Sequence, residues 1–241
     1  MIKIDNLTKY YGNNLALDHL SLNIDDGEVF GLIGHNGAGK STTIKSMVSI
    51  INPSSGSIEI DGMDLEKKRN EIKAMIGYVP DTPDLFLNMQ VLTFWNFMAE
   101  VYGVEKTIYK ERLEYLCNIF SMNGRYELTI GELSHGMRQK AILIGALISY
   151  PKILILDEPM VGLDPQSAFN LKQFIKEYAN QGNTVIFSTH VLEVAEQICS
   201  KIGILSKGKL IFSGTIDELK KSNEGKNLEE IYLKICSQDN V

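Results

Sequence analysis

Cysteine is scarce in this 241-residue chain: Cys117, Cys199 and Cys236 are odd in number, widely spaced and without a CxxC pair. Neither a disulfide framework nor a zinc site is indicated, and a reducing cytoplasm suits the sequence best. An excess of positive charge is also missing. Lys and Arg total 24 against 30 Asp and Glu, a net charge of -6, which argues against nucleic acid as a main partner. The nearest approach to a membrane span, Ala141 to Leu156, is divided by Pro151 and Lys152 into halves too short to cross a bilayer. The first residues, MIKIDNLTKYYG, lack the apolar region of a secretory leader and read as a strand. Any membrane span is therefore expected from another polypeptide. No repeat, low-complexity tract or linker interrupts the chain, so one domain with an insertion is expected.

What is present is an alternation of strands and helices. Ile2-Ile4, Leu20-Ile24 and Glu28-Ile33 read as strands, followed by a glycine-rich turn and a helix from Ser41 to Ile51. Further strands are expected at Ser57-Ile60, Met75-Val79, Lys152-Leu156 and Thr184-Ser188, with a helix over Gln166 to Ala179 between the last two. Gly203-Leu205 and Lys209-Phe212 look like a hairpin, and a polar helical pattern runs on from Asp217. Between Thr82 and Tyr150 the spacing is helical: Phe94, Phe97, Met98, Val101 and Tyr102 form one apolar stripe, Leu113, Leu116, Cys117 and Phe120 another. Both stripes read as core. Strands alternating with helices imply an α/β fold with a mostly parallel sheet covered on both faces.

The chemistry-bearing segment is Gly34-His35-Asn36-Gly37-Ala38-Gly39-Lys40-Ser41, a full GxxxxGK[ST] phosphate loop placed between a strand and a helix. Glycines let successive backbone N–H groups converge on an anion, and the positive end of the following helix reinforces the preference. Asn36, Gly37, Ala38, Gly39 and Thr42 supply that cradle, Lys40 reaches the β- and γ-phosphates, and Ser41 holds Mg²⁺. The strand Ile153-Leu156 delivers Asp157 and Glu158 to its C-terminal edge, where open α/β sheets bind ligands. Asp157 suits Mg²⁺, usually through water, and Glu158 would face an attacking water. The [NT]KxD element of a GTPase is absent, so ATP is favoured.

Several further motifs resemble those of ABC-type ATPase subunits, in the family's order, from Tyr11 to about Gly214. Leu133-Ser134-His135-Gly136-Met137 resembles the LSGGQ signature, Val161-Gly162-Leu163-Asp164 the D-loop, and His190 the switch histidine. The resemblance implies a phosphate-loop NTPase core at about 1–81 and 151–215, with an N-terminal antiparallel β region. It adds an inserted α-helical subdomain at about 82–150, and the polar pattern beyond it makes a helical tail at about 216–241. It implies that Tyr11 stacks on adenine, the alternative being a half-buried strand residue. It implies that Ser134 and Gly136 reach the γ-phosphate held by an opposing subunit, that His190 positions Glu158 and water, and that Asp164 runs along the interface.

Two departures refine the subclass. The Q-loop glutamine is replaced by Asp81, a shorter anionic group expected to meet Mg²⁺ through water. His135 and Met137 stand where glycine and glutamine are usual. Such variants are similar to bacterial subunits paired with ABC-2-type permeases, which implies an exporter. The expected assembly is a dimer with a second copy or a paralogue, beneath an integral membrane permease at the inner face of the cell membrane. The docking groove is expected near Pro83-Asp84-Leu85-Phe86. An importer subunit, a soluble ABC ATPase and an unrelated phosphate-loop kinase are the competing readings.

Overall fold

The computed structural model describes residues 1–221 and 228–238. Its strands are β1 (Ile2–Tyr11), β2 (Asn14–Ile24), β3 (Val29–Ile33), β4 (Ser55–Ile60), β5 (Met63–Asp64), β6 (Ile76–Val79), β7 (Ile153–Leu156), β8 (Thr184–Thr189), β9 (Lys201–Ser206) and β10 (Lys209–Gly214). Its helices are α1 (Lys40–Met47), α2 (Arg69–Ala74), α3 (Val91–Val101), α4 (Lys106–Phe120), α5 (His135–Leu147), α6 (Pro165–Asn180), α7 (Leu192–Ile198), α8 (Ile216–Lys221) and α9 (Leu228–Gln238).

Six strands form one sheet in the order β10-β9-β3-β8-β7-β6. Five of them run parallel, and β10 turns back antiparallel at the edge. Parallel strands covered on both faces can be apolar at every position, as β3 and β7 are. Side-chain alternation divides β7 between two cores. Ile153 and Ile155 join Phe30, Ile44 and Ile4 on one face, while Leu154 and Leu156 join Trp95, Leu143 and Phe187 on the other. The first face is closed by a second, antiparallel sheet in the order β2-β1-β4-β5. The other is closed by α3, α4 and α5, which intervene between β6 and β7, together with α6.

Several sequence expectations shift. The helix after the phosphate loop stops at Met47 rather than Ile51, because Ser49 adopts φ 58° and the N–H groups of Ile50 and Ile51 fold back onto the Lys45 carbonyl. The α4 stripe is core, with Leu116, Cys117 and Phe120 buried and Leu113 packed against them. The α3 stripe is not as expected. Its buried side is Val91, Phe94, Trp95 and Ala99, whereas Phe97 and Val101 are exposed. The run Leu92–Met98 is apolar around much of the helix, so spacing alone supports two stripes. Packing chooses the one that seats Phe94 against Gly145, where an added Cβ would meet its ring at 2.5 Å, and lets Trp95 Nε1 donate to the Ala141 carbonyl at 2.9 Å.

Cys117 and Cys199 are unpaired, and burial raises both thiols, Cys117 to about 11. The Cys236 side chain lies outside the described residues, as do 222–227 and 239–241 of the expected tail. No helix among the described residues is long and apolar enough to cross a membrane.

Candidate functional site

The phosphate loop leaves β3 at Gly34 and enters α1 at Lys40. Gly37 and Gly39 take φ values of 83° and 110°, which side chains disfavour. At Gly34 a Cβ would stand 2.7 Å from the Leu205 carbonyl oxygen, so only glycine passes there. No side chain caps α1, which leaves its first N–H groups available to an anion. Above the loop opens a cleft of about 540 Å³, within the range of small-molecule sites. Tyr11, Asn14, Leu15 and Ala16 form one wall, and Asn36, Gly37, Gly39, Lys40, Ser41 and Thr42 form the floor. His35, Asp81, Glu158 and Lys207 complete the lining. Ala38 is buried behind the floor, its N–H donating to the His35 carbonyl at 3.1 Å. Tyr11 ends β1 and leaves 46% of its surface exposed, so it is available to a planar base.

The parallel order sets β7 and β8 side by side, and one hydroxyl joins their ends. Ser188 Oγ donates to Asp157 Oδ1 at 2.5 Å and accepts from the Glu158 N–H at 2.9 Å. Asp157 is fully buried, which pushes its carboxyl up from the ordinary range, while the Ser188 hydrogen bond and the nearby Ser41 hydroxyl oppose the rise and nearby Asp81 adds to it. Its Oδ2 is buried without a hydrogen-bond partner among the described residues. An orphaned carboxylate oxygen beside a serine hydroxyl fits an oxygen-seeking cation, and Ser41 with Asp157 would hold Mg²⁺ alongside phosphate oxygens. Among the described residues no cluster of three or more His, Cys, Asp or Glu could hold a metal alone.

Glu158 has φ 50°, a left-handed conformation unusual for a non-glycine residue and common at functional sites. The Ser188 hydroxyl and a bond from the Val161 N–H to the Glu158 carbonyl at 3.2 Å hold it there. Its Oε1 lies 3.2 Å from Lys40 Nζ as an ion pair. The lysine directs its hydrogen bonds to the carbonyls of Gly34 (2.7 Å) and His35 (3.4 Å). Oε2 meets His190 Nδ1 at 3.0 Å. Lys40, Glu158 and His190 thus form one continuous chain at the mouth of the cleft. A carboxylate aimed between a cation and an imidazole can accept a proton from water, and the half-exposed imidazole can orient it.

Ser134 and Gly136 do not line this cleft. Ser134 caps α5, accepting from the Met137 N–H at 3.4 Å. Gly136 presses on the loop before α6: a Cβ there would stand 2.4 Å from the Gly162 carbonyl oxygen, and a Cβ at Gly162 would stand 2.4 Å from the His135 ring. Lys140, one turn further along α5, is buried with Nζ 3.2 Å from Ser167 Oγ and 3.7 Å from Asp164 Oδ2. Asp164 caps α6 through the Ser167 N–H at 2.9 Å. Sequence reading missed Lys140, Ser167, the bridging role of Ser188, and Lys207. Lys140 alone carried a signal, as a cation at the head of the apolar run Ala141–Leu147.

Fold and cleft define a phosphate-loop nucleotide-binding protein. The ABC transporter family profile matches residues 17–161. The bacitracin transport ATP-binding protein BcrA of Bacillus licheniformis is 36% identical over 224 residues, covering 92% of this chain and 72% of that protein. The Nod factor export ATP-binding protein I of Cupriavidus metallidurans is 30% identical over 232 residues, covering 96% and 77%. Among solved structures, the ATP binding subunit of an ABC transporter superimposes with a TM-score of 0.92 at 31% identity, covering 98% of this chain and 99% of that one. A dimeric bacterial ABC transporter cassette gives 0.81 at 25% identity, covering 90% and 99%. The chain belongs to the ABC transporter family, as an ATP-binding protein.

Proposed function

We propose that this chain hydrolyses ATP as one half of a head-to-tail dimer, on the cytoplasmic side of a membrane permease, and so drives export. The observation that carries the reading is a division of labour within one chain. The phosphate loop and Glu158 line the cleft, with Asp157 buried next to Glu158 in the chain and His190 bonded to Glu158, whereas Ser134 and Gly136 stand at an exposed helix end elsewhere. A second protomer that places its α5 N-terminus over the cleft would supply donors to the γ-phosphate. ATP then favours the closed dimer because only that state offers both contacts. Mg²⁺ would neutralise phosphate charge, Tyr11 would stack on adenine, Asp81 would meet the metal through water, and Glu158 would take the proton of the attacking water.

The export direction is supported by the Nod factor export relative and by the Asp81 and His135-Met137 variants. For the permease, the apolar side chains of Leu85, Phe86 and Leu87 are exposed beside Phe97 and Val101. A neighbouring groove is lined by Ile50, Tyr78, Met98 and Tyr102, and a short amphipathic helix of the permease suits it. Arg138 bonds Asp84 at 2.8 Å and also the carbonyls of Ile130, Gly131 and Leu133. It ties the docking loop to the helix that Ser134 caps.

Light scattering of Glu158→Gln with and without MgATP tests the dimer: a nucleotide-dependent doubling of mass is expected, and a constant monomer would overturn it. Mild-detergent purification of the tagged chain from its own cells tests the partner. A multispanning membrane protein is expected to co-purify, and its absence would sink the transporter assembly.

A further inference from the structure

We propose that Lys207, in the turn between β9 and β10, is a nucleotide-contact residue that holds the α-phosphate of ATP or ADP; the inference rests on the nucleotide-binding reading of the cleft. Lys207 lines the cleft, yet comes from a hairpin far along the chain from both phosphate loop and Tyr11. Its turn is fixed to both. The Gly208 N–H donates to the Ala38 carbonyl of the phosphate loop at 3.0 Å, and the Asp18 N–H on β2 donates to the Gly208 carbonyl at 2.9 Å. A Cβ at Gly208 would stand 2.7 Å from the Ala16 carbonyl oxygen. The turn therefore bridges the wall beside Tyr11 and the floor beside Lys40. With a base at Tyr11 and terminal phosphates at Lys40, what passes between them is the sugar and the first phosphate.

The backbone gives a second argument. Ser206 pairs with Lys209, so Lys207-Gly208 is a two-residue hairpin loop, with φ values of 45° and 83°. Positive φ at both positions is the type I′ arrangement, for which Asn-Gly is favoured and a long side chain at the first position is not. The turn alone does not explain a lysine there. The cleft gives it a role: its lining carries two carboxylates, Asp81 and Glu158, and Lys40 faces Glu158. An incoming polyphosphate needs a further cation, and Lys207 is the other lysine of the lining.

Lys207→Asn separates the two roles, because asparagine is the residue that the turn prefers. Calorimetric titration of the full chain with MgADP and MgATP, alongside thermal melts, is the test. We expect Lys207→Asn to melt at or above the wild-type temperature and to raise Kd about fivefold for both nucleotides, as suits one largely exposed charge pair. Lys207→Arg should stay within about twofold. An unchanged Kd for Lys207→Asn, a loss confined to ATP, or an equal loss in Lys207→Arg would each overturn the assignment. Failure of the wild-type chain to bind MgADP would instead sink the nucleotide-binding reading itself.

Discussion

The cleft above α1 and the corner where α5 meets α6 use polar groups in opposite ways. In the cleft they are left wanting: Asp157 Oδ2 is buried without a hydrogen-bond partner among the described residues, α1 has no side-chain cap, and Glu158 is held in a left-handed conformation. In the corner they satisfy each other: Ser134 caps α5, Asp164 caps α6, and Lys140 joins the two helices. Unsatisfied buried groups are costly and persist where a ligand completes them. Satisfied ones fix a shape. The cleft is thus built to be filled, and the corner to keep a fixed shape, which the proposed dimer would present to its partner.

The largest effect that can break this contrast lies at Glu158. Glu158→Gln keeps the volume and the bond to Ser188 but removes the base, so steady-state phosphate release should fall by about 10²- to 10⁴-fold while MgATP binding persists. Undiminished turnover would take the base role from Glu158. Asp157→Asn comes next and should move two readouts in opposite directions. The Mg²⁺ needed for ATP binding should rise by about tenfold or more, on the scale of a lost charge-assisted contact. The unliganded protein should melt at or above the wild-type temperature at pH 7. The sign follows from the raised Asp157 carboxyl: its folded pKa exceeds its unfolded one, so its contribution to stability is fully present below the ordinary carboxylate range and is lost as pH rises through the folded value. The advantage of asparagine should therefore shrink as the pH falls through the raised folded value and be gone below about 4. A variant that is less stable at pH 7, with unchanged Mg²⁺ dependence, would show that Asp157 is structural.

The two regions also differ in how far they were legible beforehand. The phosphate loop is contiguous, because backbone N–H groups converge on an anion only from successive residues, and Asp157-Glu158 is marked by the strand it terminates. Both could be read without a fold. Ser188 and Lys207 could not. Ser188 meets Asp157 because β8 lies beside β7, and Lys207 reaches the cleft because β9 lies beside β3, an arrangement that sequence spacing does not reveal. Lys140 is separated from Ser167 by a whole strand and loop, and the contact exists only once α5 and α6 pack. On α3 the failure was of another kind: two apolar faces satisfied the same period, and the fit of Phe94 to Gly145 decided between them.

In the corner the expected effects are smaller and fall on assembly rather than chemistry. Gly136→Ala drives a methyl into the Gly162 carbonyl, an overpacking that should destabilise the chain by about 1–3 kcal/mol. ATP-dependent dimerisation should weaken more than nucleotide binding by the monomer. Equal loss of both would show that the corner supports its own cleft instead of a partner's.

Ser134→Ala is the finest probe of the contrast. Among the described residues its hydroxyl accepts only the long 3.4 Å bond from the Met137 N–H, so deleting the cap should cost about 0.5–1 kcal/mol, the low end for such caps. A shift that small cannot account for a large functional change. A tenfold or greater loss of ATP-dependent dimer, measured by sedimentation with MgADP affinity unchanged, would mean that the hydroxyl acts on something beyond its own helix. A dimer loss no larger than the thermal shift explains would reduce Ser134 to an ordinary cap and leave closure to the backbone N–H groups of α5.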